Sequence, residues 1–373
     1  MIIPARPLLE SFLLSPNLTK KEFYSSINFT KNGRTALEEL ALEFKLKKGD
    51  KILIPGLICY SAIENLIKIG LKPIFYDLEL NLNLNWSYIS KHLKHKDIKA
   101  ILIVNYFGFI DTNKYQILSL CRDQDLLVID DYCHSFLTFY LKKNRNNMEG
   151  IKVFFNFNKL VRIGGGGYII NSKVEKKYLI KSETFINHIL RFILSNFEKF
   201  NIKFSILNIY NKRIFWLKKY FFKIFKSKMD HKKDFNYYLI NSSIAELFSN
   251  EKLLREVQRK RLNNYKIIYK SLLEIGITPI QKIKDEEITP QNISIIDNSG
   301  YLNNYLRERG IGSYTWPGEE LPIFNDDEEE NLKNTFYIHK RIVCLPVHQS
   351  IKNNDIKYII EKVQEYYSRN NIL

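Results

Sequence analysis

Between Lys51 and Ile170, short apolar runs alternate with segments whose apolar residues recur at helical spacing. That alternation restricts the chain to a small set of folds. Lys51–Ile54, Pro73–Tyr76, Ala100–Val104, Leu126–Ile129, Val153–Phe155 and Tyr168–Ile170 read as strands, and Tyr60–Ile69 and Lys114–Arg122 read as helices. Strands separated by helices predict an α/β fold with a mainly parallel sheet covered on both faces. Ligands of such sheets gather beyond the carboxyl ends of the strands.

Two charged residues fall at such ends. Asp131 closes the run Leu126-Leu127-Val128-Ile129-Asp130-Asp131, and Lys159 follows Val153-Phe154-Phe155-Asn156-Phe157-Asn158. Four consecutive glycines, Gly164 to Gly167, come next. An amine and a carboxylate placed this way suit a pyridoxal phosphate site. The amine forms the Schiff base, and the carboxylate keeps the pyridine nitrogen protonated. Each residue alone has a plainer reading, as a turn former or as a solvated lysine.

An upstream motif changes the balance. Phe29-Thr30-Lys31-Asn32-Gly33-Arg34-Thr35-Ala36-Leu37 leads into apolar positions 37, 40, 41 and 44, which share a helical face. Asn32 and Gly33 therefore sit at a helix start, whose free N–H groups can receive a phosphate.

The remaining composition sets limits. At 373 residues with 45% hydrophobic content, the chain can bury a core and form two domains. No apolar stretch has the length of a membrane span. The start, Met1-Ile2-Ile3-Pro4-Ala5-Arg6-Pro7, does not read as a signal peptide, so a cytoplasmic protein is expected. Cys59, Cys121, Cys133 and Cys344 lack metal-type or redox-type spacing, and no metal is expected.

The net charge of +17 is concentrated between Lys199 and Lys233, where basic and aromatic residues interleave and Asp230 is the single acid. Such a segment suits weak contact with an anionic membrane surface, which would make the protein membrane-peripheral; nucleic acid is not expected. The simpler alternative is an excursion whose aromatics pack on the body while its lysines face water. Past it, Lys252–Ile275 reads as a long amphipathic helix. A strand at 293–296, helices at 300–309 and 328–337, a strand at 341–345 and a helix at 355–367 follow. This order predicts a large cofactor-binding domain over 1–245, with an insert at about 187–233, and a smaller α+β domain over 246–373.

Taken in order, several motifs resemble the DegT/DnrJ/StrS sugar aminotransferases, which are fold-type-I pyridoxal phosphate enzymes. They are Asn32-Gly33-Arg34-Thr35-Ala36-Leu37, Ile54-Pro55 with Cys59, Tyr106-Phe107-Gly108, Ile129-Asp130-Asp131, and Lys159 with its Gly-rich turn. Arg259-Lys260-Arg261 with Asn264-Tyr265, Arg309-Gly310-Ile311, Trp316-Pro317 and Leu345-Pro346-Val347-His348-Gln349 agree with it, so the likeness spans nearly the whole chain.

The resemblance implies that Lys159 is the Schiff-base lysine and Asp131 the partner of the pyridine nitrogen. It places His134 near the cofactor's phenolic oxygen, and Gly33 and Arg34 at the phosphate. Asn156 stands where a serine usually serves the phosphate, and Cys59 or Tyr60 where the family approaches the ring from one face. Asn241 and Ser242 are the nearest counterparts of the Asn/Arg pair that reaches in from a neighbouring subunit.

The implied reaction is transamination of a nucleotide-linked keto sugar with an amino acid donor, glutamate by resemblance, for surface polysaccharide or a related glycan. The implied assembly is a homodimer. Two other readings stay open. A dehydratase or deoxygenase of this fold usually carries histidine in place of the lysine. A catalytically inactive binding protein would keep the fold alone. The loop Tyr314-Thr315-Trp316-Pro317 is the expected seat of specificity.

Overall fold

The computed structural model describes residues 3–5, 27–93, 97–111, 113–142, 152–161, 165–169, 178–181, 238–241, 250–318, 321–324 and 326–369. Its largest sheet is made of β1 (Asn28–Thr30), β2 (Lys51–Pro55), β3 (Lys72–Tyr76), β4 (Ile98–Val104), β5 (Leu127–Asp131), β6 (Lys152–Asn156) and β7 (Gly166–Ile169). The strand order is β1-β7-β6-β5-β4-β2-β3. From β3 across to β6 the pairs are parallel, as the alternation predicts. β4 is buried along nearly all its length, which is what a strand covered on both faces requires.

The far edge departs from the parallel rule. β7 runs antiparallel to both β6 and β1. The link from Asn156 to Gly166 is too short for a parallel crossover, which takes about a dozen residues.

The helices of this part are α1 (Gly33–Glu43), α2 (Tyr60–Lys68), α3 (Trp86–Leu93), α4 (Lys114–Asp123), α5 (Phe136–Leu141) and α6 (Asn158–Val161). α1 packs on α2 and on β6 and β7, while α4 packs on α3 and β5. Leu37, Leu40 and Ala41 are buried on α1, the face that their spacing indicates. The sequence reading did not anticipate α3 or α5. α5 is buried at every position, so its pattern carries no helical period.

A short parallel pair, β8 (Tyr178–Lys181) with β9 (Tyr238–Asn241), stands apart. The later part contains α7 (Glu251–Glu274), β10 (Asn292–Ile296), α8 (Leu302–Glu308), α9 (Asp326–Asn331), α10 (Lys333–Arg341), β11 (Ile342–Pro346) and α11 (Asn353–Arg369). β10 and β11 pair antiparallel. The single helix expected near 328–337 is two helices, interrupted at Leu332, whose buried side chain joins the main core. A second core gathers Tyr265, Ile268, Ile293, Ile295, Leu345 and Ile359. The two parts are not insulated, because Leu254, Val257 and Ile338 belong to the first core.

Asp77, buried just after β3, joins them by hydrogen bonds. It accepts from the N–H groups of Asn334 at 2.9 Å and Thr335 at 2.8 Å, and from the Thr335 hydroxyl at 2.8 Å. These N–H groups open α10, whose N-cap residue Leu332 has no side-chain acceptor. Asp77 caps a helix from more than 250 residues away. Asp77→Ala is expected to destabilise the protein by about 1–3 kcal/mol, read as a lower denaturation midpoint. An unchanged midpoint would show that water replaces the cap.

The expected domain boundary at 245/246, Ser242, and the basic aromatic segment at 187–233 lie outside the described residues. Among the described residues no helix is long and apolar enough to cross a membrane, and no group of three His, Cys, Asp or Glu side chains could hold a metal ion. All four cysteines are free thiols.

Candidate active site

The sheet delivers its chemical groups at the carboxyl ends of β5 and β6. Because side chains alternate along a strand, Asp130 and Asp131 turn to opposite faces. Asp130 is fully buried and accepts from the Lys114 ammonium and, at 2.7 Å, from Asn105 Nδ2. Asp131 is buried as well, yet forms no ion pair among the described residues. One of its oxygens accepts the Cys133 N–H at 2.6 Å. Burial pushes the Asp131 carboxyl above its ordinary range, and the positive charge of Lys159 pulls it back in part. The two sequence-predicted groups therefore feel each other across the strand ends.

Local chemistry places the lysine. Asn156 Oδ1 accepts the Asn158 N–H at 2.9 Å, a turn that launches the four-residue helix α6 carrying Lys159. At the far side of that helix, the Leu160 carbonyl accepts Arg261 Nη2 of α7 at 3.0 Å. Lys159 Nζ lies 4.7 Å from the ring centre of Trp316, in the loop that the sequence reading assigned to specificity.

The α1 start closes in from the edge of the sheet. Asn32 caps the helix, its side chain accepting the Thr35 N–H at 3.1 Å. A Cβ on Gly33 would lie 2.9 Å from Cys133 Sγ and 3.4 Å from Asn156 Cβ, so glycine is needed for this approach. Arg34 points its side chain to solvent and senses Glu64, which leaves its backbone N–H at the helix start. Cys59 precedes α2 and is half-buried, and Tyr60 is exposed.

His134 sits deeper. Its ring stacks on Phe107 at 5.3 Å and meets Trp316 edge-on at 4.4 Å. Burial, reinforced by the charge of Lys159, holds its pKa well below the usual imidazole range, so the ring is neutral. Phe107 adopts the left-handed region at φ 55, an uncommon conformation for a bulky residue. Gly108 follows at φ 100, and a Cβ there would meet the Thr289 carbonyl oxygen at 2.2 Å. The backbone is bent so that Phe107 lies flat against His134.

The residues fit pyridoxal phosphate. The ring stack leaves two buried polar atoms, His134 Nδ1 and Trp316 Nε1, without partners among the described residues. A buried carboxylate without an ion pair awaits a cation, and the Gly33 cradle would be filled by any side chain. The structure thus brings Asp131, Lys159, Cys133, Asn156, Gly33, His134 and Trp316 into one region. The side chains of Arg34 and Tyr60 are exposed. Sequence reading missed the partners Lys114, Asn105 and Arg261, which only tertiary packing reveals.

A family model described as the DegT/DnrJ/EryC1/StrS aminotransferase family matches residues 26–192 and 211–364. GDP-perosamine synthase from Escherichia coli O157:H7 is 22% identical over 347 residues, covering 90% of this chain and 84% of that protein. Among solved structures, Spr1654 from Streptococcus pneumoniae in its PLP-form superposes with a TM-score of 0.68 at 13% identity, covering 99% of each chain. PseC from Helicobacter pylori, an aminotransferase of pseudoaminic acid biosynthesis, gives a TM-score of 0.66 at 16% identity and 98% coverage of both chains. At these identities the structural likeness speaks for the fold, which is that of fold-type-I aminotransferases.

Proposed function

This chain belongs to the DegT/DnrJ/EryC1/StrS aminotransferase family, and on that premise we propose that it uses pyridoxal phosphate to aminate a keto sugar carried on a nucleotide. The observation that carries the reading is the buried Asp131 carboxylate, without an ion pair among the described residues, within electrostatic reach of Lys159. Glutamate is the donor we propose, a homodimer the assembly, and glycan synthesis the setting.

When bound, the cofactor supplies an aldehyde for the Lys159 amine and a ring that withdraws electrons from the carbon bearing the transferred nitrogen. Asp131 holds the ring nitrogen protonated. His134 offers a neutral Nδ1 to a hydroxyl, and the N–H groups at Gly33 and Arg34 hold the phosphate with the Asn156 amide. The helix start attracts the anion without a full positive charge. The Lys159 amine, once free, would take the proton from the donor's α-carbon and deliver it to the cofactor carbon joined to the transferred nitrogen, and would run the same two transfers in reverse to aminate the ketone's carbon. Trp316 shields that amine from water on one side, its ring centre 4.7 Å from Nζ.

Presence of lysine at position 159 favours transamination over dehydration. Borohydride treatment of the cofactor-loaded protein followed by peptide mapping is expected to label Lys159. Glutamate with a panel of nucleotide-linked keto sugars is expected to give an amino sugar and one equivalent of 2-oxoglutarate. Label on Lys152, at the opposite end of β6, or no glutamate-dependent amine would overturn the reading.

A further inference from the structure

We propose that Lys114 is a positioning residue for the site. By neutralising Asp130 in a buried pair, it lets the neighbouring Asp131 keep its negative charge for the cofactor's ring nitrogen. The inference rests on the proposed function, because it takes Asp131 as the ring partner.

Two consecutive carboxylates at the end of β5 are an electrostatic problem. Both are buried, so two negative charges there would repel each other through a medium that screens poorly. Alternation solves half of it by sending them to opposite faces. Lys114 solves the rest. Its ammonium is buried with Asp130, donates to it, and donates at 3.0 Å to the Tyr132 hydroxyl. It makes no hydrogen bond to Asp131, whose carboxylate stays available.

The place of Lys114 in its own helix argues against a purely local role. It is the first residue of α4, where a positive charge opposes the helix dipole. A lysine there works against α4 and for Asp130. Asn105 adds to the arrangement, donating to Asp130 at 2.7 Å and to the Asp131 backbone carbonyl at 3.0 Å, so the pair and the strand end are fastened together.

The other titratable groups are few. Asp111, Tyr76 and Tyr132 surround the pair, with Tyr115 beyond Tyr132. Lys159, Cys133 and Tyr106 surround Asp131, with Cys59 beyond Cys133 and Tyr106. Burial pushes Tyr76, Tyr106, Tyr132 and Cys133 upward, so these four stay neutral near pH 7. Lys114 and Lys159 are therefore the cations that the two aspartates share among the described residues.

The test uses Lys114→Met, Asp130→Asn and the double variant, all as cofactor-loaded protein. Lys114→Met leaves Asp130 unbalanced. It is expected to slow the single-turnover reaction with glutamate by about tenfold or more, because the unbalanced charge next door disfavours the ionised form of Asp131. The KM for glutamate is expected to change by less than about threefold, and the half-maximal rate to move to higher pH. The double variant removes both charges and is expected to recover the rate to within about threefold of the original, since a buried pair can often be replaced by neutral groups.

A double variant as slow as Lys114→Met would assign the pair to packing and overturn the inference. So would a Lys114→Met protein with the original rate and pH profile. Where Lys114→Met does not fold, the double variant decides alone, because restored charge balance must then give a folded protein with near-original rate. Borohydride label away from Lys159 in the unaltered protein sinks the underlying reading. Label on Lys159 combined with unchanged Lys114→Met kinetics sinks this inference only.

Discussion

Lys159→Ala is expected to lower turnover by about three orders of magnitude or more and to abolish borohydride trapping, while leaving the fold intact. The side chain is half-buried and its position in α6 is fixed by backbone contacts rather than by its own amine. Asn156 opens the helix, and Arg261 holds the Leu160 carbonyl. Loss of the amine therefore removes chemistry without removing support. No described neighbour can stand in, since Lys152 lies at the other end of β6 with its ammonium over the Phe44 ring. The phosphate contacts proposed for Gly33 and Asn156 do not depend on this side chain, so the variant is expected to bind cofactor without covalent attachment. Stopped reaction, spectroscopic cofactor retention and thermal unfolding together read the result. An alanine variant with turnover within about tenfold of the original would remove Lys159 from the mechanism.

The second large effect has two signs. Asp131→Asn is expected to reduce turnover by about a hundredfold or more, because a neutral amide does not favour a protonated ring nitrogen. The same change is expected to stabilise the cofactor-free protein at neutral pH. Burial raises the folded-state pKa of Asp131 above its unfolded value of about 3.9. Between those two values the folded state keeps a proton that the unfolded state has lost. Stability from this group is thus full below the unfolded pKa and is lost as pH rises through the folded one. Asparagine avoids that loss and can still accept the Cys133 N–H with its carbonyl oxygen. Denaturation of the cofactor-free variant across pH 4 to 8 should show a gain that grows with pH. A carboxylate kept only for packing would give the gain without the loss of turnover.

Much of this was legible from the chain itself, and the exceptions have physical causes. The parallel strands announced themselves because both faces are covered, which makes each one a nearly unbroken apolar run, as in Ile98–Val104. The α1 start was visible because Asn32 and Gly33 combine a cap with a close approach. α5 was invisible, since Phe136 to Leu141 are buried all round. β1 is three residues long and pairs only with β7, too short for a period to show. At the site, strand ends pointed to Asp131 and Lys159. Lys114 and Asn105 left no such trace, and Arg261 showed only as part of the Arg259-Lys260-Arg261 motif, because their partners are set by packing rather than by spacing. Arg34 was read as part of the helix-start turn; its side chain is exposed, which leaves its backbone N–H at that turn.

Arg261 also sets an order of events during synthesis. Its guanidinium donates to the Leu160, Pro290 and Gln291 carbonyls and to Gln349, gathering three distant stretches of chain onto α7 at one buried point. Trp316, which covers the Lys159 amine, likewise emerges late from the ribosome. Lys159 is made before Arg261 and Trp316, the later side chains that hold its helix and cover its amine. Lasting enclosure of that amine is therefore expected only after those later stretches have docked.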